Sequence, residues 1–213
     1  MDIESLRRTT RSFKDYTRLE ALDRMNIISL NIPDVKLLRP QRFRDARGVF
    51  CEIYNRQSLS LGGISVDFVQ DNCSVSQAAG TIRGLHFQAP PMAQAKLVMV
   101  LRGRVRDVAV DCRKGSPTFG SHTGVELDGD NWHQLFVPEG FAHGFCTLEP
   151  NTIVLYKVSA PYASKLDGGI LWNDPDLGID WPVAADKAVI SDKDKQLQRL
   201  RDLPSPFSYA ITA

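Results

Sequence analysis

Lys96-Leu97-Val98-Met99-Val100-Leu101-Arg102-Gly103-Arg104-Val105-Arg106-Asp107-Val108-Ala109-Val110-Asp111 is two short runs rich in Val and Leu, joined at one glycine. Each run has the length and composition of a strand, and Gly103 accepts positive φ without steric cost, so the stretch predicts a hairpin. Outward from it, short runs rich in Val, Ile, Phe and Thr, punctuated by Gly and Pro, continue from Val49 to about Ile170. They predict strands over 49–54, 66–70, 121–127, 133–137, 141–148 and 153–159. About eight antiparallel strands in one domain indicate an all-β sandwich or jelly roll. The polar tail over 186–203 carries Leu197 and Leu200 at helical spacing and predicts a short helix laid on the outside.

The ends read differently from the middle. Residues 1–25 lack Gly and Pro and place Leu6, Phe13, Tyr16, Leu19 and Leu22 on one helical side, which predicts an N-terminal helical extension or arm. Acidic residues there argue against a transit peptide. Residues 26–213 then form a single domain, jelly roll plus helical tail, with one core.

Composition narrows the partners. Hydrophobic residues make up 43% and charged residues 24%, ordinary values for a globular chain. With 26 basic and 25 acidic side chains the net charge is +1, so no whole-protein field favours nucleic acid or an anionic membrane. Any anionic ligand needs a local cluster. The longest strictly apolar run, 97–101, falls far short of the ~20 residues that span a bilayer. Cys51, Cys73, Cys112 and Cys146 form no Cys-x-x-Cys pair, and no secretory h-region is present, which points to a reducing cytoplasm.

Two histidines stand out. His86 lies in Arg83-Gly84-Leu85-His86-Phe87-Gln88, which reads as a strand, and His143 lies in Pro138-Glu139-Gly140-Phe141-Ala142-His143-Gly144-Phe145. The second stretch resembles the turn by which cupins deliver a histidine into the mouth of a small barrel. Metal-binding cupins also carry a His-x-His pair and a glutamate. Here Phe87 and Gln88 follow His86, and Lys96 stands where an acidic ligand is wanted. Two histidines beside an ammonium make a poor divalent-metal site, so no metal is expected.

Further blocks sharpen the resemblance. Gln70-Asp71-Asn72, Ala93-Gln94-Ala95-Lys96-Leu97-Val98, Ser116-Pro117-Thr118-Phe119-Gly120, Leu155-Tyr156-Lys157 and Trp172-Asn173-Asp174-Pro175, with the two histidine motifs, resemble the dTDP-4-dehydrorhamnose 3,5-epimerases in order and spacing over about 29–196. The resemblance implies a cupin-type jelly-roll barrel, without metal or organic cofactor, that inverts the carbons flanking the C4 ketone of dTDP-4-dehydro-6-deoxy-D-glucose.

Such chemistry needs a base, a stabiliser of the enolate oxygen, and an acid on the opposite ring face. By resemblance His86 is the base and Asp194 its partner, although Asp192 is close enough to compete. Tyr156 is the acid and Lys96 the enolate stabiliser, with His143 a second donor around the sugar. Arg47 and Arg83 match pyrophosphate clamps, a task suited to the planar guanidinium fork. Glu52, Gln70, Asp71, Asn72, Asp167 and Lys193 fall on further substrate-binding positions, Asp167 where a longer glutamate is common. Tyr162 matches an aromatic that stacks on thymine. The family's crossed N-terminal strands imply a homodimer with composite sites, Arg47 and Glu52 reaching the partner. Two other readings stay open: an epimerase that inverts only C3 or only C5, and a non-catalytic nucleotide-binding cupin.

Overall fold

β7 (Lys96–Arg102) and β8 (Arg104–Asp111) form where the two apolar runs stand, with Gly103 at φ +79° between them. They do not pair as a hairpin. β7 belongs to a six-stranded sheet and β8 to a five-stranded one, so Gly103 turns the chain from one sheet into the other. The reason is the alternation: Val98 and Val100 of β7 bury against Val105 and Ala109 of β8 in one cluster, face to face rather than edge to edge.

The computed structural model describes residues 24–209, and the expected helix over 1–25 lies outside the described residues apart from its last two positions. Thirteen strands are present among them, more than the eight or so expected. The others are β1 (Met25–Ser29), β2 (Lys36–Pro40), β3 (Arg42–Asp45), β4 (Gly48–Cys51), β5 (Gln70–Ser76), β6 (Ile82–Gln88), β9 (His122–Asp128), β10 (Gln134–Val137), β11 (Phe141–Thr147), β12 (Thr152–Val158) and β13 (Asp167–Gly169). The larger sheet runs β1-β2-β10-β7-β12-β5, the smaller β13-β6-β11-β8-β9, and β3-β4 is a separate pair. Two antiparallel sheets face to face make the expected jelly roll.

The described residues divide into two compact units, one taking 24–27 and Arg39–Asp67, the other Ile28–Leu38 and 68–209. In the first, β3 and β4 pair with Phe43 opposite Phe50, and helix α1 (Arg56–Leu61) is capped by Asn55, whose side chain accepts from Gln57 N at 2.9 Å and Ser58 N at 3.3 Å. The second unit has two apolar clusters where one core was expected. Val98, Val100, Val105, Ala109, Leu135, Phe141, Phe145 and Val154 fill the space between the sheets. On the outer face of the smaller sheet, Ile82, Leu85, Phe87, Val110, Ala142 and Cys146 pack under Trp172, Leu177, Trp181, Leu200 and Phe207. β11 and the later part of β8, Val108–Val110, are therefore buried on both faces, which explains the apolar run Val108-Ala109-Val110 and the burial of every residue of β11.

β5 lies later than the 66–70 expected. Its inward side chains include Asn72 and Ser74, so no apolar alternation marks it. The tail is not one helix over 186–203 but a single turn, α2 (Asp192–Lys195), followed by a 3-10 turn at Leu200–Asp202. Asp174 Oδ2 accepts from Leu200 N at 2.8 Å and fixes that second turn onto the outer cluster.

One irregularity shapes the interior. On β6, Leu85 and Phe87 point to the outer cluster, so strict alternation would send Arg83 there too. Instead His143 pairs with His86 and Phe145 with Arg83, three residues of β6 spanning two of β11. This is a bulge, and it brings Arg83 and His86 to the same cavity. Gly84 sits in it at φ +122°, where a Cβ would lie 2.6 Å from both Gly144 Cα and His143 O. Gly84→Ala should therefore destabilise the fold by about 3 kcal/mol, through backbone strain and overpacking together. Urea unfolding checks this as a fall in midpoint at unchanged m value.

Candidate active site

The alternation that builds the two sheets also delivers polar groups between them. On β7, Lys96 has the parity of Val98 and Val100; on β12, Tyr156 has that of Val154 and Val158; on β11, His143 lies between Phe141 and Phe145. With Arg83 and His86 from the bulged β6, they line a cavity of about 540 Å³. His86, Lys96, Tyr156 and Lys193 also line a second, smaller space of about 230 Å³, together with Gln70, Asn72, Tyr162 and Asp167.

His86 Nε2 and Asp194 Oδ1 are 2.7 Å apart, with the carboxylate side chain 5% exposed. A carboxylate accepts, so Nε2 carries the hydrogen and Nδ1 is left as the basic atom. Asp194 Oδ2 accepts from Gly84 N at 3.2 Å, and its backbone N–H donates to Ser191 Oγ at 3.1 Å. Burial raises the Asp194 carboxyl, but bonding to His86, Gly84 and Ser191 outweighs it and holds the group below its ordinary range. Ser191 as the N-cap of α2 also decides between the two aspartates: Asp194 turns inward, while Asp192 points to solvent and pairs with Lys195 at 3.1 Å. Gly169 of β13 stands opposite His86, where a Cβ would come within 2.4 Å of Leu85 O and 3.3 Å of His86 Cδ2.

Lys96 is 8% exposed and its Nζ donates to His86 O at 3.2 Å. Burial lowers it to about 8, against the pull of Asp167 and Asp107 in the other direction. Tyr156 is raised, chiefly by burial and further by Asp167, with Arg83 opposing, and so keeps its proton near neutrality. His143 Nε2 lies 2.8 Å from Asp107 Oδ1, both buried. The other Asp107 oxygen is enclosed without a hydrogen-bond partner. Arg83 is braced from β5: its Nε donates to Ser76 Oγ at 3.2 Å and its Nη2 to Val75 O at 3.3 Å.

Around the smaller space Gln70 Nε2 donates to Asn72 Oδ1 at 2.8 Å and Gln70 Oε1 accepts from Tyr162 N at 3.1 Å. Asp167 Oδ2 accepts from Tyr162 Oη at 3.1 Å and pairs with Lys193. Asp71 differs from its neighbours: alternation on β5 turns it outward, where it pairs with Lys157 at 2.9 Å. Arg47 and Glu52 belong to the first unit and are among the lining residues of neither space. Arg47 bonds Asp45 at the hairpin tip, and Glu52 lies 3.7 Å from Arg24. Among the described residues no group of three or more His, Cys, Asp and Glu side chains is placed to hold a metal. Asp107 and Ser74 join the lining or its support without having been singled out from sequence. Asp107 had a usable signal, an acid inside an apolar strand that burial obliges to find a partner.

A family model described as dTDP-4-dehydrorhamnose 3,5-epimerase matches residues 29–202. The chain is 48% identical over 188 residues to the dTDP-4-dehydrorhamnose 3,5-epimerase of Sinorhizobium fredii, covering 88% of this chain and 96% of that one. It superimposes with a TM-score of 0.80 and 53% identity on the Bacillus anthracis enzyme of the same description, solved with TDP and PPi bound, over 82% of this chain and 99% of that one. The Legionella pneumophila dTDP-6-deoxy-D-glucose-3,5-epimerase, solved with dTDP-4-keto-L-rhamnose, gives a TM-score of 0.83 at 42% identity over 88% of this chain and all of that one. On sequence and on architecture alike, the chain belongs to the dTDP-4-dehydrorhamnose 3,5-epimerase family.

Proposed function

We propose that this protein converts dTDP-4-dehydro-6-deoxy-D-glucose to dTDP-4-dehydro-L-rhamnose by inverting C3 and C5. One observation carries the reading beyond family membership. His86 comes from the smaller sheet with Asp194 of α2 bonded to it, Tyr156 and Lys96 come from the larger sheet, and all four line one cavity. A C–H beside a ketone is a very weak acid, so its removal depends on a placed base and on stabilising the enolate oxygen. His86 Nδ1 takes the proton, and ionised Asp194 favours the imidazolium that results. Lys96 holds the C4 oxygen, which serves deprotonation at C3 and C5 equally because both carbons flank it. The Tyr156 phenol then donates to the opposite face, and phenolate and imidazolium exchange protons with solvent to reset the site. His143, held by Asp107, is a further donor to the sugar, and Arg83 offers its remaining N–H groups to the pyrophosphate.

Tyr162, Gln70, Asn72, Asp167 and Lys193 form the nucleotide end. The active species is a cytoplasmic homodimer in which the β3-β4 arm, with Arg47 and Glu52, reaches the partner's site. Two features support the arm's role: Phe43 and Phe50 are 43% and 68% exposed, and a two-stranded sheet is marginal by itself. The four cysteines are free, which accords with a reducing compartment.

Incubating the enzyme with substrate in D2O, and reading deuterium at C3 and C5 separately by NMR, tests the reaction. Label at both carbons is expected; label at one identifies a single-carbon epimerase, and label at neither a binding protein. Tyr156→Phe keeps the base and deletes the acid, so deuterium should still enter while inversion falls about a hundredfold or more. His86→Asn should abolish both. Inversion at the wild-type rate in Tyr156→Phe would remove Tyr156 from the mechanism.

The rate should also fall on the alkaline side. Lys96 is cationic below its value of about 8 and neutral above it, so kcat/KM should decline roughly tenfold per pH unit beyond that point. In Lys96→Arg this limb should vanish from the measurable range, at a lower absolute rate, because guanidinium stays charged.

Arg47→Ala should raise KM more than it lowers kcat, since the pyrophosphate is held alike in ground and transition states. Mixing it with His86→Ala, each poorly active alone, should regenerate wild-type sites once subunits exchange. No recovery after confirmed exchange would argue against sites shared across a dimer.

A further inference from the structure

Gln88 ends β6 and is 3% exposed. Its side-chain nitrogen donates to Pro161 O at 3.0 Å and to Met92 O, and its side-chain oxygen accepts from Ala163 N at 2.7 Å. Pro161 and Ala163 are the two chain neighbours of Tyr162, whose own N–H is held by Gln70 Oε1. Three consecutive residues are thus pinned by their backbone, while the Tyr162 side chain between them is 60% exposed. Only the Tyr162 hydroxyl is tied, to Asp167 at 3.1 Å, and an exposed ring has no core to orient the rest of it, so its position also depends on how the backbone beneath it is fixed. A primary amide can grip a carbonyl and an N–H at once. Glutamate at that length lacks the donor, and methionine lacks both.

We propose that Gln88 is a positioning residue for nucleotide recognition: it presets the Tyr162 ring over the smaller space so that the base of a bound deoxynucleoside diphosphate stacks without first ordering the loop. The inference rests on the reading that Tyr162 stacks on the base. Preorganisation of this kind appears in affinity for the nucleotide rather than in the chemical step, because Gln88, which lines the smaller space, gives its side-chain hydrogen bonds to Met92, Pro161 and Ala163 and none to His86, Lys96 or Tyr156.

The test is calorimetric titration of the intact enzyme with dTDP and, separately, with inorganic pyrophosphate, which has no base to stack. Gln88→Met should weaken dTDP about tenfold and leave pyrophosphate within about twofold. KM for the sugar nucleotide should rise by a similar factor with kcat within about twofold, a split that a general loss of structure would not give. Gln88→Glu keeps the acceptor for Ala163 but turns a buried carboxylate oxygen onto the Pro161 and Met92 carbonyls, so it should lose at least as much. The double variant with Tyr162→Ala should bind dTDP no more weakly than Tyr162→Ala alone. In the wild-type enzyme, whether or not the variants fold, the Ala163 amide should exchange slowly before any nucleotide is added. Normal dTDP binding by Gln88→Met beside weakened binding by Tyr162→Ala would overturn the positioning role and leave stacking intact. Independent losses that multiply in the double variant, or a free-enzyme Ala163 amide protected only once dTDP binds, would also overturn it. Unchanged dTDP affinity in Tyr162→Ala would overturn the stacking reading, and this inference with it.

Discussion

The extra residue that β6 inserts around Gly84 decides which side chains reach the interior. A strand shows one residue in two to each face, and Leu85 and Phe87 are committed to the outer cluster. Without the bulge, Arg83 and His86 would face opposite sides of the sheet, and an anion clamp and a base could not share one cavity. The same backbone supplies more than direction. Gly84 N–H donates to Asp194, so the irregularity that turns His86 inward also helps hold the carboxylate that fixes its tautomer. Gly144 on the facing strand has no side chain, which lets the two backbones approach closely enough for the bulge to close.

Charge is placed in this interior at a cost that the structure meets by pairing. Lys96 feels Asp167 and Asp107, yet burial prevails and lowers it to about 8, a penalty on the charged form of roughly 3 kcal/mol relative to water. That balance leaves the ammonium charged at neutral pH but weakly solvated, the condition in which it interacts most strongly with a developing enolate. Asp194 shows the opposite outcome. Burial opposes its charge too, but three donors overcome it and the carboxylate stays ionised. The two groups are poised by the same low-dielectric surroundings, and the count of hydrogen bonds separates their fates.

Much of this was legible in the residues, and the gaps have physical reasons. β7 and β8 were readable to the residue because each carries regularly spaced Val and Leu or Ala and both are bounded by Gly103, but partnership was not, since composition does not say whether two adjacent runs pair edge to edge or stack. β5 was misplaced because a strand that lines a polar cavity loses apolar alternation: Gln70, Asn72 and Ser74 occupy positions that a core strand gives to valine. The motif blocks led to His86, Lys96, His143, Tyr156 and Asp194, which the fold gathers in one cavity. Spacing alone could not choose between Asp192 and Asp194, because the answer depends on Ser191 starting a helical turn whose third residue points inward. Nor could it show that Asp71 faces away from Gln70 and Asn72 until the strand carrying all three was known.

Stacked sheets lie about 10 Å apart, enough for side chains from each to meet in the middle but not for a ligand to turn freely between them. In a filled core that gap holds valine against valine, as at Val98, Val100, Val105 and Ala109. Where His86 and His143 replace apolar residues on one sheet, and Lys96 and Tyr156 on the other, the same spacing becomes a slot with basic and acidic groups on opposing walls. A sugar ring held flat in such a slot presents one face to each wall. Inversion requires removal from one face and delivery to the other, so for the proposed reaction the stereochemical problem is met by the two-layer architecture before any individual pKa is tuned.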